Sequence, residues 1–130
     1  MTMGDVRANI LVVDDDASLR SLLIDTLAAI GYAAKGADSG KQALEILLGS
    51  RFDMMITDIR MPEMDGLKLR DRVRRLYPNM PVLFVTGVAY PDIIAQASPD
   101  GVLAKPFRIA QIEELIESTL DSSRFSSSSR

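Results

Sequence analysis

The feature that most constrains this chain is an alternation of short apolar runs with amphipathic segments, repeated five times. Strands are predicted at 10–13, 33–37, 53–57, 81–87 and 101–105. Helices are predicted at 17–30, 38–49, 66–77, 91–97 and 108–120. Because a helix follows every strand, we expect a parallel sheet with helices on both faces. Right-handed crossovers and buried strands follow from that arrangement.

Turn and cap residues place several helix ends. Gly31 follows the apolar stripe of the first helix and suits the left-handed position after a helix. Asp38 or Ser39 is expected to open the second helix, and Gly49 to close it. Pro78 is expected to end the third. The fourth lies between two prolines and has room for about two turns.

Composition excludes several classes of function. A chain of 130 residues predicts one domain. The net charge of −3 argues against nucleic acid or an anionic membrane as the main partner. There is no cysteine, which excludes thiolate metal sites and favours an intracellular location, and no histidine, which excludes histidine chemistry within this chain. The apolar runs are far shorter than the roughly 20 residues that span a bilayer.

Polar side chains stand at the ends of four predicted strands: Asp14, Asp15 and Asp16, then Asp58, Thr86 and Lys105. In an open parallel sheet these ends lie along one edge, where ligands bind. Clustered carboxylates without histidine or cysteine favour Mg²⁺, Mn²⁺ or Ca²⁺ over Zn²⁺. A few carboxylates completed by waters and phosphate oxygens is the pattern of Mg²⁺, with Mn²⁺ as the alternative. A lysine and a hydroxyl beside such a site suit a phosphoryl group. Helix capping is the simpler explanation for Asp16 alone.

The segments "ILVVDDD", "TDIRMPEMDG", "VLFVTG" and "VLAKPF" resemble the receiver domain of two-component response regulators, including the chemotaxis regulators. The resemblance implies a flavodoxin-like, doubly wound (βα)5 fold with strand order 2-1-3-4-5. It implies that Asp58 accepts the phosphoryl group, that Asp14, Asp15, Asp58 and the backbone carbonyl of Arg60 hold Mg²⁺, and that Lys105 contacts the phosphoryl group. Pro106 would be preceded by a cis peptide bond.

The resemblance also implies a switch in which Thr86 responds to phosphorylation. Here the chain departs from the family, because Val102 stands where an aromatic residue is usual and the fourth helical region is short. We therefore expect the loop from Gly87 to Pro91, with Tyr90 as its largest side chain, to carry the signal.

The expected function is that of a phosphoryl acceptor rather than an enzyme with a separate substrate. A histidine kinase or a histidine phosphotransfer protein would be the donor and a protein effector the downstream partner, in the cytoplasm. The alternatives are a phosphohydrolase with an aspartate nucleophile, built on Asp14 and Asp16, and a pseudo-receiver that works without phosphorylation.

Two further expectations concern the rest of the chain. Residues 1–8 are interpreted as a lead, 9–120 as the receiver domain and 121–130 as a flexible serine-rich tail. The third helix carries Arg70, Arg72, Arg74 and Arg75. A solvated helix face is the first interpretation of these arginines, and a docking patch for a partner is the second.

Overall fold

The structure, a computed structural model, describes residues 6–128, with side chains through residue 121. The strands are β1 (Asn9–Val13), β2 (Ala33–Ala37), β3 (Met54–Thr57), β4 (Val82–Thr86) and β5 (Gly101–Ala104). The helices are α1 (Ala17–Ala29), α2 (Gly40–Gly49), α3 (Gly66–Leu76), α4 (Pro91–Ala97) and α5 (Ile109–Ser128). All strand pairs are parallel and the order is β2-β1-β3-β4-β5, which confirms the expected flavodoxin-like topology.

The sheet is covered on both faces because successive strand residues point to opposite sides. Ile10 of β1 belongs to a core cluster shared with α1 and α5. Its neighbour Leu11 belongs to a second cluster shared with α2, α3 and α4. Both side chains are completely buried. A strand buried on two sides needs apolar residues at every position, which explains the continuous runs.

Side-chain caps begin the first three helices. Asp16, Ser39 and Asp65 accept hydrogen bonds from the amides of Leu19, Gln42 and Lys68. The second helix is therefore capped by Ser39 and not by Asp38. Gly31 follows α1 with φ +98°, as its position after the helix predicts.

The proposed lead and the proposed tail lie only partly within the described residues. Residues 1–5 of the proposed lead and 129–130 of the proposed tail lie outside the described residues. Ala8, at the end of the lead, is buried in the core. The helix α5 continues to Ser128, beyond its predicted end at residue 120. No glycine or proline stands between 121 and 128 to stop it.

The arginines of α3 do not form one solvated face, so the first interpretation is wrong for two of them. Arg70 donates to the carbonyl of Ala97 at 2.6 Å and pairs with Asp100 at 3.0 Å. Arg74 pairs with Asp100 at 2.6 Å and also donates to the carbonyl of Met80. The Asp100 side chain is 8% exposed. These contacts, named here the Asp100 clasp, tie α3 to the turn between α4 and β5.

Within residues 6–128, no helix combines the length and the apolar character needed to cross a bilayer.

Candidate functional site

Strand register brings the polar strand ends together. Val13 of β1 lies beside Thr57 of β3, so the residues that follow, Asp14 and Asp58, are neighbours at the carboxyl edge of the sheet. Thr86 of β4 lies beside Ala104 of β5, which places Lys105 next along the same edge. The amide of Lys105 donates to the carbonyl of Thr86 at 2.9 Å. The predicted convergence of these side chains is therefore present.

Each carboxylate oxygen of Asp58 has a hydrogen-bond or ion-pair partner. Its Oδ2 lies 3.0 Å from the Nζ of Lys105. Its Oδ1 accepts hydrogen bonds from the amides of Ile59 at 2.7 Å and Arg60 at 3.3 Å. The side chain of Asp58 is 11% exposed, so it is not fully closed off from solvent. The lysine and the two amides fix the orientation of this carboxylate before any substrate arrives.

Asp14, Asp15 and Asp58 form a compact acidic cluster. One oxygen from each lies within 4.8 Å of the others. Asp14 is buried, Asp58 is partly buried and Asp15 is exposed, so the cluster opens toward solvent on the Asp15 side. Three carboxylates and no nitrogen or sulfur ligand form a donor set that fits Mg²⁺ or Mn²⁺. Arg60, whose carbonyl the sequence proposes as a further ligand, lies in the adjoining loop and is exposed.

Burial raises the pKa of the Asp14 carboxyl above its ordinary value. The hydrogen bond from the amide of Asp16 and the charge of Lys105, whose Nζ lies 3.4 Å away, lower this pKa and partly offset burial. The nearby charge of Asp58 raises it further. The net effect disfavours the ionised carboxylate, and a bound cation would reverse that preference.

Asp16 has a structural task that weakens the hydrolase alternative. Its Oδ1 accepts from the amide of Leu19 at 3.1 Å, which makes Asp16 the N-cap of α1. Asp14, which that alternative requires as a nucleophile, is 2% exposed. A buried nucleophile and an engaged partner carboxylate do not suit attack on an external substrate. Asp58 is the better placed of the two candidate nucleophiles.

Thr86 is completely buried at the end of β4. Its Oγ1 accepts a hydrogen bond from the amide of Val88 at 3.2 Å, which connects the hydroxyl to the loop before α4. Tyr90, farther along this loop, is 60% exposed. Val102 lies on β5 beside Phe84 and is partly buried against the core. The Lys105–Pro106 peptide bond is cis, as the resemblance implies.

Two residues contact the backbone around Asp58 and were not assigned a role from the sequence. Gly66 donates its amide to the carbonyl of Ile59 at 2.8 Å, and a Cβ at Gly66 would stand 2.0 Å from the carbonyl oxygen of Asp58. Thr57 donates its hydroxyl to the same carbonyl of Asp58 at 2.8 Å. The glycine at the end of "MPEMDG" was a usable signal, because close backbone approach requires glycine. A threonine inside a strand gives no comparable signal.

Comparison with known proteins decides the family. A family model described as "Response regulator receiver domain" matches residues 10–117. The chain belongs to this receiver family. Receiver domains are phosphoacceptor switches that bind Mg²⁺ at an acidic site and act together with histidine kinases and downstream effectors.

Among curated relatives, this receiver is 36% identical over 115 residues to the response regulator receiver protein CpdR of Brucella abortus. That match covers 85% of the chain and 95% of CpdR. The chain is 37% identical over 112 residues to the response regulator protein FleR of Pseudomonas aeruginosa, covering 84% of the chain. It spans only about a quarter (24%) of the length of FleR.

Solved structures agree with the receiver fold. The chemotaxis protein CheY4 of Vibrio cholerae superposes with a TM-score of 0.82 at 31% identity, covering 86% of this chain and 98% of CheY4. The response regulator TrrA of Thermotoga maritima, solved in complex with Mg²⁺–BeF, superposes with a TM-score of 0.78 at 28% identity. That match covers 85% of this chain and 97% of TrrA.

Proposed function

We propose that Asp58 accepts a phosphoryl group from a phosphohistidine on a partner protein, and that this modification switches the conformation of the receiver. The observation that carries the proposal is that the Asp58 carboxylate contacts the Nζ of Lys105 and forms one cluster with the carboxylates of Asp14 and Asp15. A nucleophile that contacts a fixed cation and belongs to a cation-binding cluster can approach a phosphoryl group that carries several negative charges.

In the proposed reaction, a carboxylate oxygen of Asp58 forms a bond to phosphorus as the phosphorus–nitrogen bond of the phosphohistidine breaks. The departing imidazole nitrogen keeps the electron pair and takes up a proton. Lys105 would hold one phosphoryl oxygen, since its Nζ already lies 3.0 Å from Asp58. Mg²⁺, held by Asp14, Asp15, Asp58 and the carbonyl of Arg60, would supply charge neutralisation for the phosphoryl oxygens.

The partners proposed for this chain are a histidine kinase or a histidine phosphotransfer protein as donor, and a protein effector as receiver of the signal. The chain would act on itself alone, accepting the phosphoryl group and later losing it to water. We place this activity in the cytoplasm, where ATP is available to charge a kinase.

Phosphoramidate tests the proposal because it carries the same type of phosphorus–nitrogen bond as phosphohistidine. With Mg²⁺, intact mass spectrometry should detect one added phosphoryl group on the protein, and chelation of Mg²⁺ should prevent its addition. Asp58→Asn should abolish the addition. Asp53→Asn is the matched control, because Asp53 stands directly before β3 and Asp58 directly after it. The Asp53 carboxylate accepts a hydrogen bond from the amide of Asn9 at the opposite end of the strand from the acidic cluster. A phosphoryl group that is still added to the Asp58→Asn variant would contradict the assignment of Asp58 as the acceptor.

A further inference from the structure

The four arginines of α3 divide into two pairs with different surroundings. Arg70 and Arg74 form the Asp100 clasp. Arg72 and Arg75 are exposed, and within residues 6–121 neither guanidinium has a hydrogen-bond or ion-pair partner. The fold thus uses two of these cations and leaves the other two available on the surface.

The available pair lines an apolar groove between α2 and α3. The groove has a volume of about 290 Å³ and is lined by Leu44, Leu48, Arg72, Arg75 and Leu76. Leu48 is 76% exposed and Leu76 is 54% exposed. Exposed leucines that adjoin in a concave surface are a common mark of a protein interaction site. Here two free guanidinium groups stand beside them.

The groove lies away from the phosphoryl-acceptor site. Residues 44–48 and 72–76 form the carboxyl-terminal halves of α2 and α3. Each of these helices returns the chain toward the start of the next parallel strand, so these halves lie near the amino edge of the sheet. The loops that follow them, 50–53 and 77–81, adjoin each other at that edge. Occupation of the groove would therefore leave Asp58 open to its donor.

We propose that this α2–α3 groove binds an acidic amphipathic helix of a partner protein. Apolar side chains at helical spacing on the partner would cover Leu48 and Leu76, as in other helix-in-groove complexes. Carboxylates beside that apolar stripe would pair with Arg72 and Arg75, whose planar guanidinium groups suit bidentate contact with a carboxylate. The groove is basic although the chain carries a net charge of −3, so it selects for partners of opposite charge.

Other occupants fit the groove less well. A second copy bound through a two-fold axis would bring the same patch of each copy together and set Arg72 and Arg75 against their equivalents. Nucleic acid would satisfy the arginines but would leave the leucines against a charged backbone. The combination of concave apolar lining and cationic rim favours a helix that is itself both apolar and acidic.

The test is an NMR titration of the unphosphorylated ¹⁵N-labelled protein with two stapled helical peptides. Both peptides carry leucines at positions i, i+3 and i+7. The acidic peptide has glutamates beside these leucines, and the basic peptide has lysines at the same positions. The acidic peptide should shift amides of residues 44–48 and 72–76 and bind about tenfold more tightly than the basic one. Arg72→Glu combined with Arg75→Glu should reverse the preference. Arg108→Glu, immediately before α5 and on the opposite face of the sheet, should leave the preference unchanged.

Several results would overturn the docking proposal. The first is that the acidic peptide does not bind at concentrations up to about 1 mM, or shifts amides outside residues 44–48 and 72–76. The second is that both peptides bind with equal affinity. The third is that the variant carrying Arg72→Glu and Arg75→Glu still prefers the acidic peptide. Tighter binding to anionic vesicles or duplex DNA through the same arginines would assign the groove to those partners instead. Self-association in sedimentation that the double variant abolishes would assign it to a second copy. Unchanged labelling by phosphoramidate would verify that the variant remains folded.

Discussion

The Nζ of Lys105 lies 3.0 Å from the Oδ2 of Asp58, although the two residues are 47 positions apart in the sequence. Nζ also lies 3.4 Å from the Oδ2 of Asp14. The ammonium group therefore occupies the space around the same carboxylates that would hold a divalent cation. Its charge assists a phosphoryl group but opposes the metal, and these opposite effects can be separated by substitution.

Lys105→Met should strengthen Mg²⁺ binding while slowing phosphorylation. Removing a positive charge beside the cluster deepens its negative potential, and we expect about a tenfold gain in affinity, or 1.4 kcal/mol. Isothermal titration calorimetry would measure the affinity, and labelling by phosphoramidate would measure the rate. A variant that binds Mg²⁺ more weakly than the wild type would show that Lys105 organises the acidic cluster rather than competing for it.

Asp14→Asn should stabilise the metal-free protein at neutral pH. Because burial raises the pKa of Asp14, the native state holds this proton more tightly than the unfolded chain does. The contribution of Asp14 to stability is therefore largest in acid and declines as the pH rises above its ordinary pKa of 3.8. Thermal unfolding in chelator between about pH 4 and pH 7 should show a shallower decline of Tm for Asp14→Asn than for the wild type.

Asp25→Asn is the matched control for Asp14→Asn, since Asp25 is an exposed carboxylate on α1. It should leave the pH dependence of Tm unchanged. Added Mg²⁺ should raise the Tm of the wild type and of Asp25→Asn more than that of Asp14→Asn. A loss of stability in metal-free Asp14→Asn would mean that the pair with Lys105 outweighs the cost of burial.

Thr86→Val should still accept the phosphoryl group but lose the response of the loop from Gly87 to Pro91. The substitution keeps the shape of the buried side chain and removes the acceptor for the amide of Val88. A single charge-assisted hydrogen bond contributes roughly 1.5–3 kcal/mol, less than the about 5.5 kcal/mol that a complete switch needs, so Lys105 must contribute as well. Amide chemical shifts with and without Mg²⁺ and beryllofluoride would follow the loop.

Gly87→Ala provides a companion test of the same loop. A Cβ at Gly87 would meet nothing within 4 Å, so the variant should fold normally while its backbone is stiffer. A smaller shift of Tyr90 on beryllofluoride binding would support hinging at Gly87. If the largest wild-type changes centre on Val102 and α5 while 87–91 stay unchanged, this account of the output is wrong.

Arg60→Ala should shorten the lifetime of the aspartyl phosphate. Arg60 is exposed, and its amide donates to the Oδ1 of Asp58 at 3.3 Å, so its long side chain begins beside the reacting group. We expect this side chain to shield the phosphoryl group from water. The decay of phosphorylated protein, measured by intact mass after removal of the donor, should be faster in the variant. Slower decay would instead show that the guanidinium stabilises the transition state of hydrolysis.

Asp100→Asn should lower the free energy of unfolding by about 3 kcal/mol, because it leaves two partly buried arginines without their shared carboxylate. Asp71→Asn is the control, since Asp71 also pairs with Arg70 but its side chain is 62% exposed. An exposed pair of this kind should cost under about 1 kcal/mol. Urea unfolding of both variants measures the difference. Equal effects would mean that the Asp100 clasp adds no stability beyond a surface ion pair.

The sequence by itself determined the order of the elements and the composition of the acidic site. Strand ends share one edge in any parallel sheet, so local runs such as "ILVVDDD" and "VLAK" sufficed to bring Asp14, Asp15, Asp58 and Lys105 together. The roles of individual residues in phosphoryl transfer remain predictions from the family resemblance.

The tertiary structure decided how side chains on neighbouring elements pair. Helical periodicity places Arg70 and Arg74 on one side of α3 and Arg72 on another, but it does not supply their partner: Asp100, which pairs with Arg70 and Arg74, comes from the turn before β5. The contact of the Thr86 hydroxyl with the Val88 amide likewise depends on the path of one loop. Such pairings depend on rotations and distances between separate elements, which side-chain periodicity within any one segment does not encode.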